Sequence, residues 1–363
     1  MRRARVVGAS LAAVAAAGVV AAAVWPSGVE GFDMVRLVSD RGLGAGTHDT
    51  ALVNAWGLAA SPTGPWWTAN EARATSTLYA GDGHKQALTV TVEGGPTGVV
   101  YNPGDGFVVR RGHAAGPARF IYACEDGMLR GWSPVVPHGW STSAEIGVDL
   151  AERGAVFRGL ALATLPNGDE RLYATDFHNG RVIVFDEGWH QVLRNGAFRD
   201  RAIPEWYAPF GIRAAGNRVF VSYAWKAPVN GNDAPTGGYV DEFDLDGRLV
   251  ARVERMGPLD QPWGMAVAPR GFGSHGGSLL VANFGSGRID VFARRDAGWA
   301  FRGQLRGSNG KPVVVPGVWG IAFGNGAMAG QRTTLFFAAG PHRWRGATEV
   351  AVHGLLGAIE PAG

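Results

Sequence analysis

Apolar residues along this chain gather in short runs bounded by Gly, Pro, Asn and Asp, and beyond the N-terminus no run follows a 3.6-residue period. The fullest unit lies between residues 262 and 292. It opens with Pro262-Trp263-Gly264-Met265-Ala266-Val267, returns in Leu279-Leu280-Val281-Ala282-Asn283, and turns through Gly285-Ser286-Gly287. It leaves in an alternating segment whose Ile289 and Val291 are expected inward and Asp290 outward. Three short, tightly bounded segments of this kind predict consecutive β-strands.

The unit recurs along the chain. Its Gly stands at 57, 98, 159, 211, 264 and 320, each time before an apolar residue, at spacings of 41, 61, 52, 53 and 56 residues. A period near 50 with several strands per unit predicts an all-β fold, a six-bladed β-propeller with four-stranded blades. The Trp-Gly strand is expected innermost, where crowding at the axis suits Gly. A β-sandwich array competes, but sandwiches do not repeat one strand triplet six times. No blade covers both its faces alone, so the ring must close. Met34-Val35-Arg36-Leu37-Val38-Ser39 belongs to no repeat of its own, and Leu355-Leu356-Gly357-Ala358-Ile359 ends the last repeat without an outer strand. Residues 34–39 are therefore predicted to complete the last blade.

The start of the chain reads differently. Arg2, Arg3 and Arg5 precede an apolar stretch from Val6 to Val24, and Ala21-Ala22-Ala23 offers a small-residue cleavage site. The expected layout is a signal peptide or N-terminal anchor over 1–23, a linker over 24–33 and the propeller over 34–361. Export to the cell envelope or the medium follows, with no membrane span in the mature form. Without Arg2, Arg3 and Arg5 the formal net charge of +3 falls to 0. No basic stripe with interleaved aromatics stands out, which argues against nucleic acid as a partner. Cys124 is the single cysteine, so no intrachain disulfide can form, and its place at a strand end suits a small buried side chain. A monomer is expected.

Propeller geometry narrows the search for chemistry. Turns after the second strands and residues just before the inner strands should share one channel mouth. Alignment of the second-strand ends brings Asn70, Glu125, Asp176, Ala224, Asn283 and Gly340 into register. Asn70, Glu125, Asp176 and Asn283 are hard oxygen donors, suited to Ca2+ or Mg2+. Asn54, Glu71, Asp126, Arg158 and His178 are expected beside them as ligand-binding residues. The same Asn and Asp side chains would equally serve to cap turns. Trp56, Phe210, Trp263 and Trp319 occupy one equivalent position, read as packing between neighbouring blades or as a stacking surface for sugars. The Pro/Gly-rich loop from Trp225 to Gly238, with Asn230, Asn232 and Asp233, is a further candidate surface. Gly271-Phe272-Gly273-Ser274-His275-Gly276 matches G-x-G-x-x-G but joins two strands, so it is no dinucleotide fingerprint. Asp244-Leu245-Asp246-Gly247 reads as a hairpin turn.

Asn54-Ala55-Trp56-Gly57-Leu58-Ala59, Ala174-Thr175-Asp176-Phe177-His178-Asn179-Gly180-Arg181, Ala208-Pro209-Phe210-Gly211-Ile212 and Val318-Trp319-Gly320-Ile321-Ala322-Phe323-Gly324-Asn325-Gly326 resemble an uncharacterised bacterial family of exported propellers. The resemblance runs from about Leu37 to Ile359. The blades are more distantly similar to NHL-repeat and gluconolactonase-like propellers. That second likeness implies a central divalent cation held by Glu, Asn and Asp, with no catalytic residue carried over to this chain.

Two functions remain open from sequence. One is a binding module that takes a small molecule, glycan or protein at the channel mouth. The other is a metal-dependent lactonase or esterase in which a cation polarises a carbonyl. The first is favoured, because Ala224 and Gly340 cannot be ligands and no acid/base pair is identifiable.

Overall fold

A computed structural model of the chain describes residues 31–42, 44–139, 141–192, 196–226, 236–296, 298–345 and 348–362. The expected signal or anchor segment and most of the 225–238 loop, including Asn230, Asn232 and Asp233, lie outside the described residues. Among the described residues no helix is long and apolar enough to cross a membrane.

Six sheets form the blades of a β-propeller, antiparallel throughout except for the short strand Thr47–His48, which pairs parallel with Phe32–Ser39. The inner strands are Ala55–Ala60, Pro96–Tyr101, Phe157–Thr164, Tyr207–Ala215, Pro262–Val267 and Val318–Phe323, which head blades 1 to 6 in chain order. Blades 1, 2, 4 and 5 have four strands, and blade 3 has three among the described residues, Phe157–Thr164, Glu170–Asp176 and Arg181–Phe185. Hairpins are inserted in blade 2 (Val108–Arg111 with Ala114–Pro117) and blade 6 (His342–Arg345 with Thr348–Val352). Asp244 begins a hairpin turn as expected, its carbonyl accepting the Gly247 N–H at 3.1 Å.

The ring closes as the unassigned ends of the repeat require. Phe32–Ser39 pairs antiparallel with Leu355–Pro361, from Phe32 opposite Pro361 to Ser39 opposite Leu355. The closing strand starts at Phe32, two residues before the expected boundary, and Phe32 is buried against Phe272 of blade 5. The last blade thus draws its outer strand from the far end of the chain.

Each of six apolar clusters fills one gap between blades. This explains the uninterrupted apolar second strands. In Leu279–Asn283, Leu279 and Val281 face blade 4 while Leu280 and Ala282 face blade 6. Side chains alternate with period two, yet both faces are covered, so both must be apolar. The same covering changes the third strand of blade 5. Asp290 alternates away from Ile289 and Val291 but is fully buried, with Asn283 Nδ2 donating to it at 2.8 Å and Gln304 Nε2 at 3.2 Å. It was expected at a solvent face; the neighbouring blade occupies that face.

The repeated inner-strand Gly has a steric cause. A Cβ on Gly57 would lie 2.8 Å from the Thr97 carbonyl oxygen, one on Gly98 2.6 Å from the Leu160 nitrogen, and one on Gly159 2.7 Å from the Phe210 oxygen. Gly211 and Gly264 stand in the same relation to the Trp263 and Trp319 carbonyls, and Gly320 returns to Trp56, 2.6 Å away. Every blade therefore abuts its neighbour's backbone. Hydroxyls reinforce three of these joints: Thr97 donates to the Phe157 carbonyl (3.2 Å), Thr175 to that of Phe210 (2.8 Å) and Ser222 to that of Pro262 (2.7 Å).

Candidate binding site at the channel mouth

Strand pairing fixes which side chains reach the mouth. The residue two before each inner-strand Gly pairs with the end of the second strand: Ala55 with Asn70, Pro96 with Cys124, Phe157 with Asp176, Pro209 with Tyr223, Pro262 with Asn283 and Val318 with Ala339. Glu125, Ala224 and Gly340 thus stand one residue beyond the position of Asn70, Asp176 and Asn283. A slip of one residue in a strand turns the side chain to the opposite face. The alignment made from sequence mixed two rings.

The ring at the strand ends is turned inward to protein. Asn70 is fully buried and held by Thr68 and Thr77, accepting from Thr68 Oγ1 at 2.9 Å and donating to Thr77 Oγ1 at 2.8 Å. Asp176, also buried, accepts from Arg181 Nε at 3.0 Å and Asn179 Nδ2 at 2.8 Å. Asn283 accepts the Asp260 N–H at 2.9 Å and donates to Asp290. Cys124 is buried, and burial pushes its thiol up to about 12, so it carries no thiolate near neutrality. Among the described residues no group of three His, Cys, Asp or Glu side chains could hold a metal ion.

The ring one residue further on faces the mouth: Glu71, Glu125, Phe177, Ala224, Phe284 and Gly340. Five share a backbone signature, each N–H donating to the carbonyl just before an inner strand: Glu71 to Asn54, Glu125 to Gly95, Phe177 to Val156, Phe284 to Gln261 and Gly340 to Gly317. Beneath them lies the ring preceding the inner Gly: Trp56, Thr97, Arg158, Phe210, Trp263 and Trp319. Four of these aromatics meet across the axis. Trp56 stacks on Trp319 with centroids 3.5 Å apart and meets Phe210, three blades away, edge-on at 6.1 Å. Trp263 touches both Trp56 and Trp319. The four rings pack into a plug along the axis that joins neighbouring blades and also blades across the ring, and all four are buried.

The mouth above this plug has two sectors. On one side Arg158 pairs with Glu125 and lies over the Trp56 ring, its guanidinium carbon 5.2 Å from the centroid. Burial pushes the Arg158 pKa down to about 10, and the Glu71 charge opposes that shift. It remains a cation at neutral pH, and its Nε has no acceptor among the described residues. Glu71 accepts from Asn54 Nδ2 at 2.6 Å, and Asn54 Oδ1 accepts the Trp319 indole N–H at 3.1 Å. On the other side Phe177 and Phe284 stand half-buried on the plug, Phe284 stacked on Trp319 at 3.9 Å and Phe177 tilted on Phe210 at 5.1 Å. His342 meets Phe284 edge-on at 5.3 Å.

Of the expected ligand-binding residues, Asn54, Glu71, Glu125 and Arg158 come together here. Asp126 does not join them. It takes a two-pronged ion pair from buried Arg130, at 2.9 and 2.7 Å. His178 is exposed beside Gly154 at the rim. Phe177 and Phe284 were missed. A signal for them existed: the residue before each second-strand end is small, being Ala69, Ala123, Thr175, Ser222, Ala282 or Ala338. Aligning on that position places both phenylalanines in the mouth ring.

Fold and site together define a six-bladed propeller with a charged and aromatic mouth over a sealed axis. No protein-family model matches the chain. It belongs to the family of the uncharacterised proteins R648 and L690 of Acanthamoeba polyphaga mimivirus. R648 is 34% identical over 299 residues, covering 79% of this chain and 72% of R648. L690 is 30% identical over 299 residues, covering 79% and 77%. These relatives are viral, so the bacterial ancestry expected from sequence finds no support in them. Among solved structures, the soluble aldose sugar dehydrogenase of Escherichia coli in its apo-form superposes with a TM-score of 0.52 at 11% identity, over 91% of this chain and all of that one, a likeness of fold.

Proposed function

We propose that the protein is an exported binding module whose mouth takes a polyhydroxylated small molecule or glycan. The observation that carries this reading is the pairing of sectors over one floor. Glu71 and Glu125 supply acceptors, Arg158 supplies guanidinium donors, and Phe177 and Phe284 offer half-buried rings. A sugar has hydroxyls for the first sector and an apolar C–H face for the second. The plug blocks deeper entry at this end, so the ligand would lie across the mouth.

The hydrolase alternative requires Ca2+ or Mg2+ at Asn70, Glu125, Asp176 and Asn283. Such an ion would have to displace the protein donors that Asn70, Asp176 and Asn283 now hold, and Glu125 belongs to a different ring. The geometry therefore favours binding over metal-assisted hydrolysis. A glycan array followed by calorimetry, with Arg158→Ala and Phe177→Ala beside the parent protein, tests the reading. Saturable binding weakened by both variants is expected; no glycan or sugar binding, or turnover of a lactone abolished by chelator, would overturn it. The expected export is checked by mass spectrometry of the mature N-terminus from the culture medium.

A further inference from the structure

On the far side of the aromatic plug the channel is open. A cavity of about 290 Å³ is walled by the inner strands of all six blades, with Trp263 of the plug in its lining and half-buried Tyr101 and Leu162 at the opposite end. By the volume of liquid water it has room for about ten molecules. Its lining contains no Asp or Glu, and its single charged side chain is Arg213.

Arg213 breaks the repeat. Two residues past each inner Gly stand Ala59, Val100, Ala161, Arg213, Ala266 and Ala322. Five blades place a small apolar residue there, and blade 4 places a guanidinium. Arg213 lines the channel and is exposed to the solvent that fills it, while the surrounding inner strands desolvate its charge enough to push its pKa down. Among the described residues it has no hydrogen-bond or ion-pair partner. A cation lining a channel without a counter-charge costs stability, and Ala, present at the same position in four other blades, would avoid that cost.

We propose that this cavity is an anion site that takes a small organic monocarboxylate, with Arg213 as its carboxylate clamp. A planar guanidinium offers two parallel N–H donors to one carboxylate. One positive charge neutralises a monoanion, whereas a dianionic phosphate would keep an uncompensated charge, since the lining holds no second cation. The small side chains around the lumen suit a compact apolar body on that carboxylate. The plug separates this site from the mouth, so the two are independent.

The test uses the full chain in carboxylate-free buffer, with acetate, butyrate and benzoate as probes, and benzamide and inorganic phosphate as controls. Calorimetry and thermal shift should show millimolar or tighter binding of at least one carboxylate, with phosphate weaker and benzamide silent. Arg213→Ala, which restores the residue of the other blades, should fold with an unchanged or higher Tm and lose at least tenfold in affinity. Arg213→Lys keeps the charge without the fork and should bind between the two. Arg158→Ala should leave carboxylate binding unchanged. The proposal is overturned if no carboxylate binds, if phosphate binds more tightly, if Arg213→Ala retains the affinity, or if Arg158→Ala abolishes it.

Discussion

Trp56 of the first blade and Trp319 of the last stack face to face, 3.5 Å between centroids and 13° between planes, and Trp319 also donates its indole N–H to Asn54. The pair sits where the ring joins its two ends, so the plug doubles as part of the closure. Trp319→Ala should remove this stack together with contacts to Phe210, Trp263 and Phe284. A loss of about 3–5 kcal/mol is expected for truncating a buried Trp, read from urea or guanidinium unfolding. Trp319→Phe keeps a ring but leaves Asn54 Oδ1 without its donor, and should cost about 1–2 kcal/mol. Equal losses in the two variants would show that the stack contributes nothing.

The Arg158–Glu125 pair is partly exposed, so it should matter more to ligand than to fold. Partly exposed ion pairs contribute about 0–1 kcal/mol. Arg158→Met is therefore expected to change unfolding free energy by about 1 kcal/mol while lowering affinity for the mouth ligand at least tenfold. Glu125→Gln should weaken binding less, because its amide oxygen still accepts. A stability loss of several kcal/mol with intact affinity would reassign Arg158 to a structural role.

Burial pushes the Asp290 carboxyl up to about 6, against an ordinary value of 3.8. With the folded pKa above the unfolded one, the folded state holds the extra proton between these values. Stability should then fall as pH rises from about 4 to about 6, by about 3 kcal/mol if this group acted alone. Asp290→Asn should flatten that part of the curve. Unfolding free energies at half-unit pH intervals decide the matter, and an Asp290→Asn profile parallel to the parent would discount the residue.

The fold was legible because its cause is steric and repeats. Gly57, Gly98, Gly159, Gly211, Gly264 and Gly320 each meet a neighbour's backbone, and that requirement writes itself into the sequence at every turn of the ring. The unassigned ends of the repeat announced the closure for the same reason. The site was legible only in part, since a mouth is assembled from residues whose facing depends on single-residue register. Glu125 looks equivalent to Asn70 by its place after an apolar run, but Cys124 holds the paired position. Asp290 looked exposed because alternation signals two faces without saying that both are covered.

The closing strand offers the last prediction. Phe32–Ser39 makes seven cross-strand pairs with Leu355–Pro361, and Phe32 and Val38 are buried, at 3% and 0% exposure. Net backbone bonds at about 1 kcal/mol each and about 1.5–3 kcal/mol for each buried side chain sum to an amount comparable with the whole stability of an ordinary domain. A chain beginning at residue 41 should therefore lose cooperative unfolding and aggregate through the bared edge of Leu355–Pro361. Adding the peptide Phe-Asp-Met-Val-Arg-Leu-Val-Ser during refolding should restore a cooperative transition, since the strand needs no covalent link to occupy its groove. A peptide with Val38 changed to Asp should fail, because that side chain enters the cluster between blades 6 and 1. If the shortened chain unfolds cooperatively at the parent's denaturant midpoint without any peptide, the closure is not what holds the ring.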